Sequence, residues 1–170
     1  ATALIAAAER VAPAKNMAGG DALSALDPSA LDHTPLALAC TQRELLRMAE
    51  TVQSMLVPVM QLFRAWDGET ARVIAIREDH VDRMHFETKI YVSKLRESAL
   101  DSIAEKATLD VIAIANSFEE AADRIAVNLT ALAKKMRDEA MVFSDEGLSD
   151  LAVFHDQVAT NGQLALRVLT

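Results

Sequence analysis

The stretch from Val73 to Met136 constrains the fold most, because apolar residues recur there every three or four positions in two successive segments. This spacing places them on one face of an α-helix. A break at Leu100-Asp101-Ser102 separates the two segments, and Ser102 with Glu105 has the spacing of a capping box that starts a helix. The stretch therefore predicts two long antiparallel helices joined by a short turn.

The rest of the chain extends this helical pattern. We predict a first helix from Pro35 to about Trp66, a second from Glu69 to Ser98, a third from Ser102 to Val142 and a fourth from Leu148 to Leu169. Pro58 should bend or break the first helix, because proline lacks the backbone donor and crowds the preceding turn. The predicted fold is all-α, an elongated antiparallel helical bundle.

The sequence predicts three regions along the chain. Residues 1–12 read as a short apolar helix, 13–32 as a linker or strap, and 33–170 as the bundle. The fourth helix faintly repeats the first at an offset of 106 residues, which suggests a second helical repeat reduced to one helix. We expect a homodimer or further C-terminal sequence to cover any apolar face left open. Because the chain begins abruptly without Met, we also expect further sequence upstream.

Composition narrows the function classes. Of the 170 residues, 51% are apolar and 4% aromatic, which favours long packed helices over a β-sandwich. Acidic residues outnumber basic ones by 25 to 17, and the net charge of −8 argues against nucleic-acid binding. The single cysteine, Cys40, excludes an internal disulfide and is expected to be a small buried residue. No apolar run reaches the ~20 residues that cross a bilayer.

Each of the two central helices carries a Glu-x-x-x-Asp pair, Glu78 with Asp82 and Glu119 with Asp123. Residues four apart share a helix face. If the chain turns near residue 101, facing positions have residue numbers that add up to about 201, as those of Asp82 and Glu119 do. The four carboxylates are therefore predicted at one height of the hairpin.

The acidic strips lie roughly 100–110° around each helix from the apolar stripes, so they flank the core. They fall either both in the groove between the helices or both on its far sides. The predicted stripes are Val73, Ile76, His80, Met84, Thr88, Tyr91 and Leu95 in the second helix, and Val111, Ile114, Phe118, Ile125, Leu129, Leu132 and Met136 in the third. His80 is thus expected in the core, and His33 and His155 at the surface or at helix caps.

An oxygen-rich cluster of this kind suits Mg, Ca, Mn, Fe or Zn, and His85 lies on the same strip and could add a nitrogen ligand. The other interpretation is a solvated face whose charge is balanced by nearby basic residues, namely Arg77, Arg83, Lys89 and Arg124. The sequence has no nucleophile elbow, phosphate-binding glycine loop or zinc-protease motif, so we predict a non-catalytic protein.

At the acidic motifs the sequence resembles the PhoU family of helical phosphate-signalling proteins. Glu78 to Asp82 matches the family's Glu-x-x-Ile-Asp pattern, and Phe118 to Asp123 matches Leu-Glu-Arg-Ile-Gly-Asp, with Glu120 and Ala122 in place of Arg and Gly. The segment from Leu26 to Glu50 is similar to the start of the PhoU-like domain that follows the membrane part of bacterial sodium/phosphate cotransporters. The resemblance covers about residues 26–169.

The resemblance implies a three-helix repeat followed by the first helix of a second one, with iron or zinc clusters on the bundle surface. It implies a regulatory domain at the cytoplasmic face of the inner membrane, whose partner is the membrane transporter portion of the same chain. Residues 1–12 would be the trailing end of that portion. Two alternatives stay open. One is a free-standing PhoU-type regulator of phosphate uptake, contacting a transporter and a sensor kinase. The other is a ferritin-like di-metal bundle, which needs Glu and His ligands deep between four helices.

Overall fold

The part of the chain that the computed structural model describes, residues 24–169, contains a short 3-10 helix at Pro28–Asp32 and four long helices. They are α1 (Thr34–Arg64), α2 (Gly68–Leu95), α3, which joins Ser102–Asp123 to Thr130–Asp138 through a π-helical turn at Arg124–Leu129, and α4 (Asp145–Leu169). No strand occurs among these residues. The all-α prediction is confirmed, whereas the helix predicted over residues 1–12 lies outside the described residues.

The first three helices pack against one another, and α4 packs against α1. Leu45, Met48 and Met55 of α1 are fully buried against Ile74 and Val92 of α2. Burying a side chain of this size stabilises the fold by about 1.5–3 kcal/mol, so this three-helix core provides most of the hydrophobic stabilisation.

Pro58 does not interrupt α1, which runs continuously from Thr34 to Arg64. Of the predicted bend or break, the break does not occur. Met55, Val59 and Leu62, on either side of the proline, are buried in the main core. Packing of the helix on both sides of Pro58 offsets the hydrogen bond that the proline cannot make.

The helix ends are fixed by residues next to the predicted ones. Asp101, rather than Ser102, caps α3, because its carboxylate accepts a 2.7 Å hydrogen bond from the Ala104 amide. At the other end of α3, Ala140 takes a left-handed conformation with φ of 53°. The last helix, α4, begins at Asp145, three residues before the predicted start at Leu148, and the Gly147 amide in its first turn donates to Ser144 Oγ.

Polar contacts seat α4 on α1. The Gln53 side-chain amide donates to the Ala159 carbonyl at 3.1 Å, and His155 Nε2 lies 2.9 Å from the Leu56 carbonyl oxygen. His155 was predicted at the surface or at a helix cap, but its side chain is only 14% exposed, because it lies between α4 and α1. Gln53 and Ala159 are 106 positions apart, the offset of the predicted repeat. They occupy equivalent positions in the two proposed copies.

A strap formed by residues 24–33 packs across the end of the bundle. Glu44 is fully buried and its Oε2 accepts hydrogen bonds from the Ala25 amide and from Arg47, both at 2.8 Å. Tyr91 donates to the Asp27 carbonyl at 2.8 Å. Sequence reasoning missed Glu44, whose buried carboxylate ties the strap to α1.

Candidate functional site: an acidic groove between α2 and α3

The register of the α2–α3 hairpin is defined by two polar contacts along one groove. His85 Nε2 lies 2.8 Å from Asn116 Oδ1, and Arg96 pairs with Glu105 at 3.7 Å. The residue numbers of each pair add up to 201, the value predicted from the position of the turn. Positions whose numbers share this sum therefore lie level with each other in the groove.

The four predicted carboxylates lie close enough in this groove for their charges to act on one another. Glu78 and Glu119 are half-buried, while Asp82 and Asp123 are exposed. Burial raises the pKa of Glu78, and the nearby charges of Asp82, Asp79, Asp123 and Glu119 raise it further. Of the two arrangements that the sequence left open, the structure has the acidic strips facing each other across the groove.

The pKa of Asp82 is raised by the same kinds of effect as that of Glu78. Burial raises its pKa, the Glu119 carboxylate raises it further, and the nearby His85 opposes the shift. Asp123 and Asp79 act in the same direction as Glu119. Repulsion among neighbouring carboxylates thus makes their ionised forms less stable in the groove than in water.

The first half of α2 buries a different face from the predicted stripe, whereas Met84, Thr88, Tyr91 and Leu95 of that stripe are buried as predicted. In α2, Ile74 and Val81 are fully buried, whereas Val73, Ile76 and His80 are only half-buried, so the predicted core position of His80 is wrong. Because Glu78 lies four residues after Ile74 and three before Val81, it lies nearer the core than predicted. This position explains why burial is the largest cause of its raised pKa.

In α3 the predicted stripe is largely confirmed, because Val111, Ile125 and Met136 are buried and Ile114, Phe118 and Leu129 pack against the core. Ala115 and Ala122 are fully buried and flank Glu119, while Leu132, predicted in the core, is 45% exposed. The structure therefore places half-buried Glu119 beside the interface with α2 rather than on an outer face. Small alanine side chains let the helices approach closely along this line.

Two of the four basic residues expected to neutralise the groove are engaged elsewhere. Arg77 donates to the Ser54 carbonyl on α1 at 2.6 Å, and Arg124 pairs with Glu120 at 2.6 Å. Within residues 24–169, no salt bridge involves any of the four groove carboxylates, Glu78, Asp82, Glu119 and Asp123. In this part of the chain, Arg77 and Arg124 therefore form no ion pair with these four carboxylates.

The donor chemistry of the groove fits a hard divalent cation, because carboxylate oxygens are the ligands that such ions prefer. In the described part of the chain, however, no three His, Cys, Asp or Glu side chains form a group that could hold a metal ion. His85, the predicted nitrogen ligand, is bonded to Asn116, a groove residue that the sequence analysis missed. The register sum alone would have pointed to this pair.

The fold and the groove define an acidic domain of antiparallel helices, with half of its carboxylate cluster exposed at a helix–helix groove. Residues 45–141 match the family model of the PhoU domain. The chain belongs to the PhoU domain family, and the resemblance inferred from the acidic motifs is confirmed at this level.

Curated relatives match over a longer stretch. The protein named "Putative inorganic phosphate export protein YjbB" from Salmonella typhimurium is 31% identical over 145 residues, which is 84% of this chain and 26% of that protein. Proteins of the same name from Escherichia coli O157:H7 and K12 are each 26% identical over 145 residues, with the same shares covered. The chain thus spans about a quarter of the length of these relatives.

Two further findings concern solved structures and membrane-spanning helices. No solved structure matches the chain. None of the helices in residues 24–169 is both long and apolar enough to cross a bilayer.

Proposed function

We propose that this chain is a non-catalytic regulatory and interaction domain of a sodium-dependent phosphate transporter. It would act at the cytoplasmic face of the inner membrane and contact the membrane portion of the same protein. The observation that carries the proposal is the alignment of this PhoU-family bundle with one quarter of proteins named for phosphate export.

The way the strap is attached supports a role in coupling. The backbone of Ala25 and Asp27 is bonded to Glu44 of α1 and Tyr91 of α2. Leu26 and Leu31 pack with Leu95 in a second apolar cluster at this end of the bundle. A movement of the bundle would therefore be transmitted to the chain that precedes residue 24.

The test is phosphate flux through the full-length parent protein in membrane vesicles, with and without residues 34–169. We expect the shortened protein to insert normally but to show altered flux or altered response of flux to internal phosphate. Unchanged flux and unchanged response would refute the regulatory role. Replacing sodium by choline tests the coupling ion, and equal flux in both salts would refute the sodium-dependent part.

We also propose that the groove carboxylates bind a divalent cation, such as iron or zinc, when their side chains reorient around it. Five carboxylates that form no salt bridge within residues 24–169 provide the negative charge, namely Glu78, Asp79, Asp82, Glu119 and Asp123. Metal content of protein purified without chelators, measured beside Glu78→Ala/Asp123→Ala, tests this point. Metal that is absent from the parent, or retained in the double variant, would refute it.

A further inference from the structure

The outer side of the α2–α3 pair carries an apolar patch next to the acidic groove. Asp79, Asp82, Phe86 and Ile90 follow one another at spacings of three or four residues, so they form one line along α2. Phe86 is 52% exposed and Ile90 is 38% exposed. This line is acidic at one end and apolar at the other.

The neighbouring helix repeats this arrangement. Leu109 of α3 is 51% exposed, and the register of the hairpin puts it two residues along α3 from the position that is level with Ile90. Asp123, at the other end of the same face of α3, is level with Glu78. The two helices therefore present one surface with an apolar half and an acidic half. Both halves remain open in the described residues, because α4 packs against α1 and not here.

We propose that this surface docks a basic amphipathic segment whose apolar side chains sit on Phe86, Ile90 and Leu109 and whose Lys or Arg side chains meet the groove carboxylates. The inference rests on the proposed function, because short cytoplasmic loops of membrane proteins are rich in Lys and Arg. A loop of the transporter portion is the expected source. A basic, amphipathic partner matches both halves of the surface, whereas a metal ion uses the acids alone.

Charge favours this occupant over a second copy of the chain. The chain carries a net charge of −8, so two copies repel each other at neutral pH. The groove and its edge carry five carboxylates, Glu78, Asp79, Asp82, Glu119 and Asp123. A divalent cation would offset two of their negative charges and leave three for a basic partner, so metal binding and docking are compatible. Desolvated carboxylates also gain more from a cationic partner than fully hydrated ones do.

The chain offers a closely matched control surface on α4. Asp150, Phe154 and Val158 follow one another at spacings of four residues, and the two apolar side chains are 63% and 38% exposed. In the described residues the main packing partner of α4 is α1, and no second helix forms a groove beside this line as α3 does beside α2. It therefore reproduces the pattern on one helix without the groove.

The experiment measures binding of a fluorescein-labelled 18-residue peptide of lysine and leucine, with the leucines on one helical face, to the whole chain. Phe86→Ser/Ile90→Ser should weaken binding about tenfold or more, and Phe154→Ser/Val158→Ser should change it less than about twofold. Asp79→Asn/Asp82→Asn should weaken binding at low salt and flatten its salt dependence, because Debye screening acts on these charges.

Several results would overturn the proposal. They are no binding at low salt, equal weakening by the α4 pair, or equal binding of a peptide with glutamine in place of lysine. Sedimentation of the parent and of Phe86→Ser/Ile90→Ser tests the second-copy alternative, and a dimer that only the parent forms would also overturn it. Peptide binding without any effect of domain deletion on phosphate flux would refute the proposed function instead. Altered flux without peptide binding would refute the docking surface alone.

Discussion

Replacing Glu44 by alanine should destabilise the bundle more than its position in an ordinary helix suggests. The Glu44 carboxylate is fully buried and accepts two hydrogen bonds at 2.8 Å, from the Ala25 amide and from Arg47. Hydrogen bonds to a charged group contribute about 1.5–3 kcal/mol each. The Arg47 side chain is 28% exposed, so water can replace part of its loss. We therefore expect Glu44→Ala to lower the free energy of unfolding by about 3 kcal/mol.

Equilibrium urea unfolding followed by circular dichroism measures this change. Glu50→Ala is the matched control, because Glu50 is exposed on the same helix and should change the unfolding free energy by less than about 0.5 kcal/mol. Amide exchange at Ala25 provides a local reading, since the amide loses its acceptor in the Glu44 variant. If Glu44→Ala stays within about 1 kcal/mol of Glu50→Ala, the carboxylate does not clamp the strap.

A second variant separates the charge from the hydrogen bonds. Glu44 Oε1 is buried without a hydrogen-bond partner among the described residues, so the two hydrogen bonds of this side chain are both made by Oε2. In Glu44→Gln the amide oxygen can still accept from the Ala25 amide, while the charge that pairs with Arg47 is removed. We expect this variant to lose less than half of the stability lost by Glu44→Ala.

Three further predictions concern the core, the α1–α4 contact and the groove. Ile74→Ala should cost about 2–4 kcal/mol and Ile76→Ala clearly less, because only Ile74 is fully buried; equal losses in urea unfolding would contradict the rotated core face. Gly162→Ala places a methyl group against Gln53 Oε1, so alone it should leave the free energy of unfolding nearly unchanged. In a Gln53→Ala background the same change should raise the free energy of unfolding by about 1 kcal/mol, because alanine favours the helix over glycine. A stabilising effect without the second change would contradict this contact. The raised pKa of Glu78 means that the folded state binds more protons than the unfolded state above the ordinary carboxyl range, so stability falls as pH rises through that window. Glu78→Gln should therefore raise the melting temperature more at about pH 7 than at about pH 3.5, and an equal rise at both would exclude charge repulsion.

The helices and the hairpin register could be predicted because both depend on local signals. The apolar period marks each helix, and the break near Asp101 fixes which positions face each other. The cap was assigned one residue late, since Asp101 and Ser102 are both good N-cap residues and only the observed bond to Ala104 distinguishes them.

The buried faces could not be predicted as reliably, because several neighbouring positions are equally apolar. Val73, Ile74 and Ile76 compete for the interior of α2, and packing against α1 and α3 selects Ile74. The roles of Glu44 and His155 depend on backbone groups 19 and 99 residues away. No local pattern marks a side chain whose partner is that distant, so a buried glutamate looks like a surface one.

The charge of the groove is a property of the folded state that the sequence does not force. Arg77 and Arg124 each lie within one turn of a groove carboxylate, yet the first bonds to α1 and the second to Glu120. The folded chain therefore keeps a repulsion at neutral pH that amide side chains would remove, and perturbed carboxylates of this kind are typical of binding sites. Any cation that binds the groove relieves this repulsion in the folded state only, so it must raise the unfolding temperature. A rise that Glu78→Gln diminishes would come from the groove, whereas one that is unchanged in that variant would come from elsewhere on this acidic surface.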